Sequence, residues 1–161
     1  MEHDEIIQII QAFPAVTAAG MKYGDQIEIR SEADHVCNLL VFLKSQGFEH
    51  LSNITCVDWI LEKRFDVTYN IWSYSRKIHA VVKIGLSRDN PRMATIYPLW
   101  PQARVYEQEI HEMFGIVFEG NPDMGPLFLH NWQDLPPLRK DFDTREYSRK
   151  MYGFLEEEAG L

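Results

Sequence analysis

Glu107, Glu109, His111 and Glu112 crowd one short stretch of this 161-residue chain, and carboxylates beside a histidine are what general acid–base catalysis or a metal site requires. Geometry restrains that reading. On a helix turning about 100° per residue, Glu107 and Glu109 point about 160° apart and do not converge on one reacting atom. Glu109 with Glu112, and Glu107 with His111, are helical neighbours that suit proton transfer and an ordinary charged face equally. His111-Glu112 begins like the zinc-protease HExxH, but Gly115 stands where the second histidine belongs. His3, His35, His50, His79 and His130 have no ligand spacing, and neither a phosphate loop nor a nucleophile elbow occurs. A stand-alone metal-dependent hydrolase using His111, Glu109 and Glu112 stays as one alternative, and a small adaptor or ligand-binding module as another.

Cys37 and Cys56 are the only cysteines, far from the CxxC spacing of metal and redox sites. An iron–sulfur cluster takes about four protein ligands, so this chain is expected to hold none, and both thiols read as small apolar residues beside Val36, Leu39 and Val57. The 24 acidic and 16 basic residues leave a charge of −8, the wrong sign for a protein that neutralises phosphates, which argues against nucleic acid. No apolar run approaches the roughly 20 residues that cross a bilayer, and Met1-Glu-His-Asp-Glu5 lacks the basic opening of a secretory signal. A soluble, intracellular chain is expected.

The elements that must position these residues follow from periodicity. Ile6, Ile7, Ile9, Ile10 and Phe13 line one side of a helix from Asp4 to Phe13 that Pro14 stops. Gly20 to Gly24 reads as a turn region, and Gln26-Ile-Glu-Ile-Arg30 alternates like a half-buried strand. Ser31 is the expected N-cap of a helix running to Gln46, with Val36, Leu39, Leu40 and Leu43 as its apolar stripe and Gly47 closing it. Phe48 to Trp59, Phe65 to Ile71 and Ile78 to Leu86 read as strands, the last two a hairpin joined by Ser73-Tyr-Ser-Arg-Lys77. Arg88 to Arg92 is a loop, and a helix spans Ala103 to Phe114. The expected fold is a two-layer α+β domain with a mainly antiparallel sheet, helices on one face and an extended C-terminal docking tail.

Gly120, Asn121, Pro122, Gly125, Pro126, Pro136 and Pro137 oppose regular structure after the short strand-like run that follows Gly115. The chain is accordingly divided into an α+β domain over 1–118 and an irregular docking segment over 119–161 that ends in Glu156-Glu-Glu158. Aromatics before Phe118 (Trp100, Tyr106, Phe114) are assigned to the core. Those after Pro126 (Phe128, Trp132, Phe142, Tyr147) are assigned, with Arg139, to an interface, where such residue types are enriched.

Leu99-Trp-Pro101, Tyr106-Glu-Gln-Glu109, Met113-Phe-Gly-Ile116, Phe118-Glu-Gly120, Pro122-Asp123 and Pro137-Leu-Arg-Lys-Asp-Phe142 occur in this order. From about Val36 to Asp143 the chain resembles the thirty-kilodalton-type subunit of respiratory complex I, and equally the matching small subunit of membrane-bound energy-converting nickel–iron hydrogenases. The resemblance implies a cofactor-free, non-catalytic subunit of the peripheral arm on the cytoplasmic side of the membrane, attached to the membrane only through its complex. Its implied partners are the large hydrogenase-like, forty-nine-kilodalton-type subunit and a small iron–sulfur subunit. Iron–sulfur clusters, and nickel–iron in the hydrogenase case, would belong to those partners.

The expected partner interface is Glu107, Glu109, Phe114, Gly115, Phe118, Pro122, Asp123, Trp132, Pro137, Leu138, Arg139, Lys140, Asp141 and Phe142, with Arg139 suited to a partner carboxylate. The chain departs from the family pattern at Gln108 (usually Arg), Glu112 (usually Asp), Asn121 and Pro136 (usually His), and at Gly125 and Pro126 (often Arg). Those departures, with the compact length, favour a hydrogenase-like or related ferredoxin-linked complex over a quinone-reducing one.

Overall fold

Inward-facing β-branched and aromatic residues on five strands, covered by three amphipathic helices, make a two-layer α+β fold in the computed structural model, which describes residues 2–153. The Glu156–Glu158 run and the apolar pair Phe154 and Leu155 lie outside the described residues. Helix α1 (Glu2–Gln11) is followed by strands β1 (Val16–Tyr23) and β2 (Gln26–Glu32), helix α2 (Val36–Ser45), and strands β3 (His50–Trp59), β4 (Arg64–Ser73) and β5 (Ile78–Ser87). A short strand β6 (Arg92–Ala94), helix α3 (Ala103–Phe114), a short strand β7 (Val117–Glu119) and helix α4 (Thr144–Tyr152) complete the order.

The main sheet runs β1-β2-β5-β4-β3. Strands β3, β4 and β5 form an antiparallel meander, and β2 joins β5 in parallel, with Ile29 opposite Val82 and Ser31 opposite Ile84. One face carries Ile27, Ile29, Phe65, Val67, Tyr69, Ile71, Ala80, Val82 and Ile84, all buried against Ile6 and Ile10 of α1, the α2 stripe, and Ala103, Ile110 and Phe114 of α3. Alternation in the sequence thus becomes burial, the dominant favourable term. Strands β6 and β7 pair in parallel as a separate two-stranded sheet.

Three local expectations change. Gly20 to Gly24 is not a turn: the chain runs as β1 through Gly20, and only Gly24 and Asp25 turn, Gly24 taking a positive φ of 45° before Tyr23 pairs with Gln26. Ser31 is no N-cap, because β2 continues through it and its hydroxyl donates to the Ala15 carbonyl at 2.6 Å; a 3-10 turn over Ala33–His35 leads into α2 instead. The tail is not wholly irregular, since Asp143 accepts the amides of Arg145 and Glu146 at 2.9 and 3.0 Å and starts α4. The stop at Gly47 holds: with φ 89° it lets Phe48 N–H reach the Leu43 carbonyl at 3.1 Å, closing α2 in a Schellman turn.

Tyr69 sits fully buried at the centre of β4, its hydroxyl donating to the Met93 sulfur at 3.7 Å. A sulfur is a weak acceptor, so the ring supplies the stability and the hydroxyl contributes little. In urea titrations Tyr69→Phe is expected to change the unfolding free energy by less than about 1 kcal/mol, whereas Tyr69→Ala should cost about 4 kcal/mol.

Candidate docking surface

The C-terminal segment leaves the body at the end of α3, and three carboxylates decide its path. Glu107 is wholly buried on α3. It accepts hydrogen bonds from the Thr95 hydroxyl, from Ile96 N–H at 2.8 Å and from the Asn121 side-chain amide at 2.8 Å, tying the segments before and after the helix to it. Burial raises its pKa even though those three donors favour the charged form. Asn121 also caps the Arg104 carbonyl at 3.1 Å, and Arg104 pairs with Asp123 at 3.0 Å.

Glu112, one turn further on, gathers the consecutive amides of Leu127, Phe128 and Leu129 at 2.9–3.0 Å. Burial alone would raise its pKa, but the three amides hold the carboxyl below its ordinary value. His111 Nδ1–H donates to the Ile116 carbonyl at 2.8 Å. Of the residues that invited an acid–base reading, only Glu109 faces solvent, so the four do not converge. Among the described residues no group of three or more His, Cys, Asp or Glu side chains is arranged to hold a metal ion. Cys37 and Cys56 are free, and burial pushes the Cys56 thiol up to about 12.

The third carboxylate is Asp58, which points inward at the end of β3 with its side chain fully buried. Its Oδ1 lies 2.8 Å from Arg88 Nε, two buried atoms with no other partner among the described residues, and its Oδ2 accepts Arg88 Nη2 at 3.0 Å and Lys140 N–H at 2.8 Å. The same Arg88 Nη2 reaches Asp141 at 2.8 Å, and Arg139 Nε donates to Asp141 at 3.2 Å. Both guanidiniums lie near the Phe65 ring, 5.4 Å away for Arg88 and 5.5 Å for Arg139. Leu138 N–H adds a bond to the Met113 carbonyl at 3.0 Å. The segment crosses the α3 end at Gly115, where a Cβ would stand 3.2 Å from Pro136 Cγ on a backbone of φ 80°. Beyond it, Trp132, Phe142 and Tyr147 pack on one another with ring centroids 4.7–5.5 Å apart.

The residues assigned to the interface therefore divide. Glu107, Phe114 and Phe118 lie in the interior, and Gly115 serves the crossing. Asp123, Trp132, Pro137, Arg139 and Phe142 are half-buried against their own chain, while Glu109, Pro122, Leu138, Lys140 and Asp141 face solvent. The Arg139 guanidinium, expected to meet a partner carboxylate, is engaged by Asp141 and Phe65 of its own chain. Sequence reasoning missed Asp58 and Arg88. The alternation of β3 marks Asp58 as inward, where a buried carboxylate demands a cation, but nothing in the sequence singles out Arg88 as that cation.

Likenesses to known proteins bear on this geometry. Residues 29–148 match the family model described as the 30 kDa subunit of respiratory-chain NADH dehydrogenase. An NADH-quinone oxidoreductase subunit of Rhizobium johnstonii is 33% identical over 141 residues, which are 85% of this chain and 70% of that one. A chain of the membrane-bound sulfane sulfur reductase, an archaeal respiratory membrane complex, superposes with a TM-score of 0.88 at 30% identity, covering 100% of this chain and 97% of the other. A trypsin-resistant fragment of Nqo5 shares the fold, with a TM-score of 0.67 at 23% identity over 76% of this chain and 99% of the fragment.

Replacing Arg88 by Leu leaves Asp58 buried with an amide as its only partner, which should cost about 3 kcal/mol and free the segment around Lys140. Limited trypsin digestion at neutral pH is expected to cut at Arg139 or Lys140 markedly faster in that variant. Glu107 gives a pH signature. Its folded pKa is raised, so its contribution is complete below the unfolded value and is lost as pH rises through the folded one. Denaturant midpoints should show Glu107→Gln gaining on the wild type as pH rises above the unfolded carboxylate value of 4.5; a constant difference would mean that Glu107 does not titrate in this way.

Proposed function

This chain belongs to the family of the 30 kDa subunit of respiratory-chain NADH dehydrogenase, and from that premise we propose that it is a structural docking subunit in the peripheral arm of a membrane-bound oxidoreductase complex. The observation that carries this reading is a segment of fixed shape with its apolar side chains outward. Phe128, Leu135 and Leu138 are 61%, 45% and 53% exposed, although Glu112, Asp58 and the Trp132 cluster hold the backbone that bears them. Apolar groups presented on an immobilised segment suit burial against another protein, because little order remains to be imposed on docking.

In this reading residues 1–118 are the body and 119–161 the docking segment. The large hydrogenase-like subunit lies against Leu138 and its neighbours, and a small iron–sulfur subunit belongs to the same assembly. Electrons pass through clusters in those partners, and through nickel–iron where the large subunit is a hydrogenase. The chain supplies shape and contact. It sits on the cytoplasmic side and meets the membrane only through the complex; among its described residues no helix is long and apolar enough to cross one. A ferredoxin-linked complex is favoured over a quinone-reducing one; the likeness over the whole length to a chain of a complex named for sulfane sulfur, not quinone, supports the second half of that choice.

The test uses the tagged chain expressed in its native cells. Leu138→Asp should lower recovery of the cluster-bearing large subunit by about tenfold, while the isolated variant melts within about 2 °C of wild type. Recovery of the wild-type chain as a monodisperse monomer without that subunit would overturn the proposal. On the recovered complex, oxidation of reduced ferredoxin without quinone reduction is the outcome expected for the favoured branch.

A further inference from the structure

The connection between β3 and β4 has the wrong composition for a turn in water. Trp59-Ile-Leu61 is a run of three apolar residues at the tip, 43%, 38% and 96% exposed in that order. Turns between strands are ordinarily built from Gly, Pro, Asn, Asp and Ser, and consecutive exposed apolar residues are found where they serve a contact. Val57, on the solvent face of the same strand, extends the patch at 43% exposure.

The tip is also rigid. Lys63 turns the chain with a φ of 50°, its N–H bonds the Ile60 carbonyl at 3.2 Å, and its carbonyl accepts Arg88 N–H at 3.0 Å. Trp59 Nε1–H donates to Asp66 at 3.1 Å, and Arg64 bridges Glu62 at 2.6 Å and Asp66 at 2.9 Å with its guanidinium 6.0 Å from the Trp59 ring. Those pairings set Arg64 against Glu62 and Asp66, so the apolar run is flanked by paired charges, with the exposed Lys63 beside it.

Its position is the third observation. Asp58, the residue before the tip, accepts the Lys140 amide, and Arg88, whose amide holds Lys63, also holds Asp141. The tip and the docking segment flank one clasp and are fixed relative to each other. Resting on the docking function proposed above, we propose that the β3–β4 tip is a second contact with the same large subunit, Leu61 entering an apolar hollow on it. Two rigid contacts set by one clasp fix the angle at which the chain sits; either alone would leave it free to swing.

The experiment places a photoreactive residue at the tip, Leu61→p-benzoylphenylalanine, in the full chain within its native complex, and identifies the product by mass spectrometry. A cross-link to the cluster-bearing large subunit is expected. A cross-link to a second copy of this chain, to the small iron–sulfur subunit, or to nothing overturns the inference. In parallel, Leu61→Asp should lower recovery of the large subunit by about tenfold, while Tyr23→Asp, equally a surface change but on β1 at the opposite sheet edge, leaves it unchanged. Full recovery with Leu61→Asp but loss with Leu138→Asp removes the tip contact and leaves the docking function standing. Full recovery with both removes the docking function itself.

Discussion

The buried pair of Asp58 and Arg88 is the constraint on which the C-terminal third depends. Strand alternation puts Asp58 opposite Phe65 on the covered side of the sheet, where an ionised carboxylate without a partner is expensive to bury. Arg88, just past the end of β5, supplies the charge, and one carboxylate oxygen remains able to bind the Lys140 amide. The pair thus stabilises the fold less by its own attraction, which desolvation largely offsets, than by fixing what must lie beside it. Arg88 Nη2 is shared with Asp141, and Arg139 extends this line of alternating charges, both guanidiniums lying near the Phe65 ring. A strand end, a loop and a segment far along the sequence meet at one buried carboxylate.

Glu107 and Glu112 apply the same principle to the chain before and after α3. An irregular segment has backbone amides with no ladder to join, and each must find an acceptor. Glu112 takes three in succession, and Glu107 takes the Ile96 amide together with two side-chain donors. The residue types that suggest acid–base chemistry are the means by which 95–97 and 119–129 acquire a defined path. A carboxylate that already accepts three hydrogen bonds from its own chain has little capacity left for a substrate.

Much of the body could be read from the sequence because its signals are local. The α2 stripe with Gly47, and the β4–β5 hairpin around Ser73–Lys77, carry periodicity and stop signals within a dozen residues. Strand β1 lacks them: Val16-Thr-Ala-Ala-Gly-Met-Lys-Tyr23 is an edge strand of small and polar residues, held by its partner β2 more than by its own propensity. The parallel pairing of β2 with β5 was illegible for another reason, since nothing in Gln26–Glu32 records a neighbour some fifty residues on. Helix α4 did carry a signal in Asp143 followed by Thr-Arg-Glu, outweighed by the prolines before it. In the segment after Pro126, Trp132 and Phe142 stand out by type, and the structure packs them on each other and on Tyr147. The Asp58–Arg88 pair does not stand out, because it joins residues whose proximity exists only once the sheet has formed.

The aromatic cluster of Trp132, Phe142 and Tyr147 explains why such a segment keeps its shape so far from the main core. The three rings touch one another, Trp132 Nε1–H caps the Leu135 carbonyl at 2.9 Å, and Asp143 between two of them starts α4. Aromatic rings in mutual contact bury large area with few rotatable bonds, so a small cluster can immobilise a segment that has little sheet or helix of its own. The consequence is thermodynamic. Ordering a free segment costs about 1–2 kcal/mol per residue, and here that cost is met during folding by the cluster and the clasp. In the docking role proposed for this segment, a surface that met Phe128, Leu135 and Leu138 would gain their burial nearly undiminished, because the segment is folded before docking.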